Sequence, residues 1–134
     1  MNIFGIAWLA MALAFGLHVA DEASTNFLAW YNPTAQRIRE RLRPLPFPPL
    51  FAFWPWLLGL CAVTATLLAV SPWAFAGASW LVSIAVAFST INIGNAMLHI
   101  VASLRLKHRV PGMLSAPLLL ICSIWLLVAA LRTR

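Results

Sequence analysis

IFGIAWLAMALAFGLHVADE, residues 3–22, decides the kind of fold that this chain adopts. The run from Ile3 to Leu17 is apolar without interruption by a charge, and a helix that spans a membrane needs about 20 mostly apolar residues. The run then ends on His18, Asp21 and Glu22, although the whole chain has only three Asp and Glu residues. The stretch therefore predicts a membrane helix, and it raises the question of what offsets two neighbouring carboxylates at its end.

The composition extends this prediction to the whole chain. Of its 134 residues, 63% are hydrophobic and 9% are charged, whereas soluble domains usually carry about 25% charged residues. The seven Trp and nine Pro residues agree, since Trp favours the bilayer interface and Pro is tolerated in membrane helices. We predict an integral membrane protein with a single transmembrane domain over residues 1–134.

Four apolar runs are long enough to be spanning helices. They cover about residues 3–30, 50–70, 73–104 and 113–131, and no strand pattern or internal repeat accompanies them. The sequence therefore predicts an all-α membrane protein, built as an up-and-down bundle of four transmembrane helices. No Lys or Arg precedes the first run, so we interpret that run as a retained membrane anchor and not as a cleaved signal peptide.

The first loop, NPTAQRIRERLRPLPFPP at residues 32–49, is basic and rich in proline. Asn32 and Pro33 resemble an N-cap and a first-turn proline, and Ile38 and Leu42 can share one face of a short interfacial helix. A disordered basic loop is the alternative. The prolines that should end any such helix, and the one that should kink or start the second span, are Pro44, Pro46, Pro48, Pro49 and Pro55.

The distribution of charge predicts an orientation. The net charge of +6 comes from short segments between apolar runs, which argues against nucleic-acid binding and favours orientation signals and lipid headgroup contacts. The positive-inside rule places both long loops in the cytoplasm and both termini outside. The basic residues of the two loops are Arg37, Arg39, Arg41, Arg43, Arg105, Lys107 and Arg109, against Arg132 and Arg134 at the tail.

Several small residues lie within the apolar runs. Cys61 and Cys122 are expected to be reduced and buried, because two such residues match neither a disulfide framework nor a zinc ligand set. Gly77, Gly94 and Ala102 are expected to be close-packing positions.

Polar residues recur at one end of the predicted bundle. In an up-and-down topology, the end of the first span, the end of the third and the start of the fourth lie on one membrane face. His18 and Glu22 are four residues apart and stack on one helix face, as do Asn95 and His99. Polar stripes on apolar helices must face the bundle interior or a watery cavity.

A bound cation would explain the stripes. A charge at mid-bilayer costs roughly 2.5–3.5 kcal/mol on insertion scales, and two imidazoles with one or two carboxylates are a common ligand set for Zn²⁺ or Fe²⁺. We expect His18, Glu22 and His99 to bind one divalent metal. Asp21 would be a fourth ligand, a partner of a ligand or the general base, and Asn95 would orient His99 or a water.

These motifs resemble a known family. The spacings His18-x-x-Asp21-Glu22, then Asn95-x-x-x-His99, then Arg109-x-Pro111-Gly112 are similar to the His-x-x-Glu-Glu, Asn-x-x-x-His and Tyr-x-Pro-Gly motifs of the HXXEE family of small membrane proteins. Two positions depart from the pattern, with Asp21 in place of a Glu and Arg109 in place of the Tyr. The resemblance implies a membrane-embedded enzyme that uses these residues, and it does not name the reaction.

The leading hypothesis is a membrane metalloenzyme that acts on a lipid or another apolar small molecule. Zinc would favour hydrolysis, with Asp21 or Glu22 as the base, and iron would favour oxidation. The rival hypotheses are a metal-free acid–base isomerase, a small proton-coupled transporter that works as a homodimer, and a structural subunit. The simplest alternative for the acidic pair is solvation at a helix end, with Arg37 or Arg105 nearby.

Overall fold

The computed structural model describes residues 2–42 and 44–133, and over these residues the chain is helical with no strand. Six helices follow one another along the described chain. They are α1 (Ile3–Ser24), α2 (Phe27–Arg41), α3 (Phe53–Ala69), α4 (Ser71–Phe75), α5 (Trp80–Leu106) and α6 (Ala116–Arg132).

Helix α1 is capped at its start and broken at its end by polar side chains. The Asn2 carboxamide oxygen accepts from the Phe4 amide at 3.0 Å, which satisfies one of the free donors of the first turn. At the other end the Thr25 hydroxyl donates to the Asp21 carbonyl at 2.6 Å, and Asn26 adopts a left-handed conformation with φ of 61°. Asn tolerates this conformation better than most residues, so the first helix stops before the expected boundary near residue 30.

A helix is present in the first loop, as predicted, but it is longer than expected. Asn32 and Pro33 were expected to start it, and instead they lie inside α2, which begins at Phe27. The Asn32 carboxamide faces the returning chain, where it donates to the Phe51 carbonyl at 2.9 Å and accepts from the Phe51 amide at 3.2 Å. Residues 44–52 contain no helix, as the four prolines predict.

The remaining helices are shorter than the apolar runs from which they were predicted. Pro55 lies in the first turn of α3, and α5 begins only at Trp80 because residues 71–79 form α4 and a turn through Gly77 with φ of 75°. Among the described helices, α1 with 22 residues and α5 with 27 are long and apolar enough to cross a membrane. Helices α3 and α6 are apolar and have 17 residues each.

Helix α1 is the centre of the packing. It contacts α3, α4 and α6, and α6 packs along α5. The Asn2 amide reaches the Ala74 carbonyl at 3.1 Å at one end of α1, and Trp8 Nε1 donates to the Leu67 carbonyl at 2.8 Å further along. Since residues early in α1 meet residues late in α3, these two helices run antiparallel. The same holds for α1 and α6, because Met11 contacts Ser123 while His18, later in α1, contacts Ser115 at the start of α6.

The outer faces of the helices are apolar and exposed. Leu58 of α3, Ile91 and Leu98 of α5 and Ile121 of α6 are each at least 63% exposed. Large exposed apolar surfaces mark contact with a membrane or another protein.

Two expectations about small residues are wrong. Cys122 is buried, but Cys61 is exposed on α3. A Cβ atom added at Gly94 would meet nothing within 4 Å, so Gly94 lies on the open face of α5 and is not a close-packing position within this chain.

Candidate metal centre

Three segments of the chain meet at one end of α1. The last turns of α1 contribute His18 and Glu22, the second half of α5 contributes His99, and the connection from α5 to α6 contributes residues 110–115. His18, Glu22 and His99 are 1%, 4% and 3% exposed. A carboxylate and two imidazoles at this depth need partners, since an unpaired buried charge is strongly destabilising.

The imidazole of His99 has a defined tautomer. Its Nδ1 lies 2.7 Å from the Pro111 carbonyl oxygen. A carbonyl only accepts, so Nδ1 carries the proton and donates it. The other ring nitrogen, Nε2, then faces Glu22 Oε1 at 3.0 Å.

The imidazole of His18 is held by a hydrogen-bonded chain of two further residues. The Asp21 carboxylate accepts at Oδ2 from the Ser115 hydroxyl at 2.7 Å and from the Ser115 amide at 2.9 Å. The Ser115 oxygen, having donated its proton to Asp21, accepts from His18 Nδ1 at 2.8 Å. His18 therefore also carries its proton on Nδ1, and its Nε2 is left as an acceptor.

Both imidazoles thus present Nε2 to the same carboxylate. His18 Nε2 lies 3.5 Å from Glu22 Oε1, and one ligand atom of each of the three residues lies within 4.8 Å of the other two. Tetrahedral zinc with bonds of about 2.0–2.1 Å sets its ligand atoms about 3.3 Å apart. The donor set and its spacing therefore fit one divalent ion after a small contraction, with the Nδ1 partners in the positions that usually orient histidine ligands.

The structure also places the two other residues that the sequence singled out. Asp21 is half-buried and points to Ser115, so it reaches the three-residue group through His18. Asn95 donates from Nδ2 to His18 Nε2 at 3.2 Å, whereas the sequence predicted that it orients His99 or a water. The solvated alternative is wrong for Glu22, which is buried against two histidines.

Pro111 and Gly112 form the floor of the site. The Pro111 carbonyl binds His99, and Gly112 has φ of 82°, a conformation that favours glycine. A Cβ atom on Gly112 would come within 2.8 Å of His99 Cε1 and 2.9 Å of Glu22 Cγ. The Gly112 amide donates to Thr25 Oγ1 at 3.3 Å, so this turn closes over the end of α1.

Sequence reasoning missed Ser115 and Thr25. Both lie at helix ends, where a hydroxyl is common for capping alone, so their types carry no signal of a site. The available signal was the position of Ser115, three residues after Gly112. Ser115 directly precedes α6, and the sequence motifs already predicted that the start of this helix lies beside His18, Glu22 and His99.

An apolar cavity of about 250 Å³ lies beside the site, between α2 and α5. Asn95 and His99 form the part of its wall that belongs to the polar group. The rest is mainly apolar and comes from residues such as Phe27, Trp30 and Ala102. The Phe27 ring stands 5.6 Å from the His99 ring, so the aromatic face of α2 reaches the site.

Comparison with known proteins agrees with the motifs. The family model described as a protein of unknown function with an HXXEE motif matches residues 8–126. That range includes His18, Glu22, His99 and Gly112. No curated protein and no solved structure matches the chain. Since the family model covers most of the chain, the protein belongs to the HXXEE family.

Proposed function

We propose that this protein is a membrane-embedded, metal-dependent enzyme that acts on a lipid or another apolar small molecule. The observation that carries the proposal is the matched orientation of two buried imidazoles. Each of His18 and His99 donates Nδ1–H to the protein and turns Nε2 toward Glu22 Oε1. Three lone-pair donors that converge in a buried site are the arrangement that a divalent cation binds, and a cation between them would offset the cost of the buried carboxylate.

The roles of the residues follow from their contacts. His18, Glu22 and His99 hold the ion, Ser115 and the Pro111 carbonyl fix the two rings, and Asp21 fixes Ser115. When bound, zinc would supply a Lewis acid suited to hydrolysis, and iron would supply a redox centre suited to oxidation. Burial of the three ligands keeps bulk water away from the site, which strengthens its electrostatic interactions.

The same proposal includes a topology of four spans with the site near one membrane face. Helices α3 and α6, at 17 residues each, are roughly 25 Å long, a little short of the roughly 30 Å hydrocarbon core. Local thinning and flanking residues accommodate such a difference at modest cost. The exposed apolar faces of α3, α5 and α6 support contact with lipid.

Metal analysis of the purified full-length protein tests the proposal. We expect one zinc or iron per chain in the wild type and its loss in the His18→Ala and His99→Ala variants. The matched control is His108→Ala, because His108 is exposed and bonds only to the Leu106 carbonyl in the described structure. Metal that is absent from folded wild-type protein, and that does not bind when added, would overturn the proposal.

A second function is favoured by one distance. His99 Nε2 and Glu22 Oε1 are 3.0 Å apart, which is an ordinary length for a hydrogen bond. A proton shared there would suit metal-free acid–base chemistry such as a double-bond isomerisation, with Glu22 moving the proton. Activity that persists in chelator and disappears in Glu22→Gln would select this function over the metal-dependent one.

A further inference from the structure

The cavity between α2 and α5 differs from the metal centre in both chemistry and position. Its wall is formed by aromatic and aliphatic side chains of α2, by the second half of α5 and by Pro48 of the proline-rich loop. The hydroxyls of Tyr31 and Thr34, which also line it, are already bonded to the carbonyls of Pro49 and Trp30. The polar end of the cavity is therefore formed by Asn95 and His99, which also belong to the metal centre.

The cavity opens to the outer surface of the molecule. Leu98 and Ile38 line it and are 70% and 41% exposed, so the apolar wall continues into the apolar outer face of α5. A ligand that arrives from a lipid phase meets no charged side chain among the lining residues. The route thus leads from an apolar exterior to a polar end.

The volume limits the ligand. At about 250 Å³ the cavity lies just below the roughly 300–1,000 Å³ of pockets that hold drug-sized molecules. A volume of this size is too small for a fused ring system as large as a sterol, whereas it holds a single short hydrocarbon chain.

We infer that this cavity binds one unbranched hydrocarbon chain of a single-chain lipid, with its polar end at Asn95 and His99. The inference rests on the proposed function for the reaction, but the binding of the chain does not require the metal. Helix α2 is then the wall that selects the substrate, and α5 carries both the chain contacts and one metal ligand.

Photolabelling of the full-length protein tests this inference. The probe is decanoic acid with a diazirine in the middle of its chain, and labelled residues are located by mass spectrometry. We expect the label on the facing surfaces of α2 and α5, with or without a chelator present. Unlabelled decanoic acid should reduce the labelling, and a sterol should not.

Matched variants separate the cavity from the lipid-like surroundings. Ala102→Phe places a phenyl ring inside the cavity, whereas Val101→Phe places it one residue away, at a position that is exposed and does not line the cavity. Each buried methylene is worth roughly fourfold in affinity, so the exclusion of two lowers labelling in Ala102→Phe by roughly fifteenfold. Val101→Phe should label as the wild type does.

The outcomes separate this inference from the proposed function. If Ala102→Phe does not fold, Leu98→Trp is a second variant that blocks the cavity. Leu98 is exposed, so the fold tolerates a larger side chain at this position. Label spread evenly over the outer faces, or unchanged in a folded blocking variant, overturns the inference even when the protein binds metal. Cavity labelling in a protein that binds no metal upholds the inference and overturns the proposed function.

Discussion

Asp21 and Ser115 act on the site through a neighbour. The carboxylate of Asp21 accepts hydrogen bonds from the amide and hydroxyl of Ser115, and the hydroxyl oxygen in turn accepts a hydrogen bond from His18 Nδ1. In metal sites such partners fix the orientation of the imidazole and raise its basicity. Asp21 is shorter than the Glu of the family motif, and its reach is sufficient because Ser115 completes the chain.

Removal of the Ser115 hydroxyl should weaken metal binding without abolishing it. We expect Ser115→Ala to lower metal affinity by about 10–100-fold, measured by competition with a chromogenic chelator. Ser123→Ala is the control, because Ser123 is also a buried serine but bonds within α6 and to Met11. Equal affinities in the wild type and Ser115→Ala would show that the hydroxyl does not position His18.

Asp21→Asn should have a similar effect, and the double variant should be little worse than either single one. Residues that act through one chain of contacts show non-additive effects. Additive losses of metal affinity in the Asp21→Asn, Ser115→Ala double variant would instead place Asp21 in a separate role, such as the fourth ligand that the sequence also allowed.

Two glycines at this end of the molecule, the buried Gly112 and the exposed Gly94, should respond oppositely to substitution by alanine. Gly112→Ala forces a Cβ against His99 and Glu22 at positive φ, and we expect a loss of about 1–3 kcal/mol in the free energy of unfolding. Gly94→Ala meets open space within α5 and should be neutral or stabilising by up to about 1 kcal/mol. Thermal unfolding in one detergent compares both, and an unaffected Gly112→Ala would contradict the described packing of this turn.

Among the helices, α2 is predicted by the sequence, but its predicted start lies several residues too late. The arginines and the pair Ile38 and Leu42 indicate an amphipathic helix, and α2 is a helix in this region. The start of α2 could not be predicted from Asn32 and Pro33. An Asn-Pro pair can cap a helix, but it can also lie within the helix when the Asn side chain bonds to another segment. That partner, the Phe51 backbone, lies far along the sequence.

The contacts of Asn32 should hold α2 to the proline-rich loop. Asn32→Ala removes both bonds to the Phe51 backbone, and we expect faster amide exchange across residues 27–52 with little change in α1 and α5. Gln36→Ala, at an exposed position of the same helix, is the control. Unchanged exchange in Asn32→Ala would show that aromatic packing alone holds α2.

Aromatic packing is the other attachment of α2. Phe27 stacks on Tyr31 and on Trp56 of α3 with ring centroids 5.3 and 5.8 Å apart. Burial raises the pKa of the Tyr31 phenol, so the hydroxyl stays protonated at neutral pH and can donate to the Pro49 carbonyl at 3.1 Å. These contacts keep the wall of the cavity in place.

At the scale of the whole molecule, the site and the basic segments lie at the same end. The C-terminal ends of α1 and α5 meet there, and α2 and the α5–α6 connection leave from it. The positive-inside rule then predicts that the site opens near the cytoplasmic face.

Cysteine labelling of intact cells tests the proposed topology. In a background without Cys61 and Cys122, we expect a membrane-impermeant maleimide to label Ala76→Cys in intact cells and Lys107→Cys only after permeabilisation. Both positions are exposed. Labelling of both from one side would contradict four spans, and the reverse pattern would contradict the orientation alone.

Residue pattern and composition alone predicted the helical class, the apolar character and the three residues of the candidate site. Those features depend on periodicity and on residue type, since polar residues four apart on an apolar helix must share a face and turn inward. The sequence also predicted that the ends of the first and third long helices come together, as His18, Glu22 and His99 do.

The hydrogen-bond partners of those residues follow from the packing of segments that are far apart in the sequence. The proton on each Nδ1 depends on Pro111 and Ser115, and the position of α2 depends on the contact of Asn32 with the distant Phe51 backbone. A hydrogen bond between residues that are 94 positions apart leaves no local pattern, because its geometry is set by how three helix ends pack and not by the residues that surround either partner.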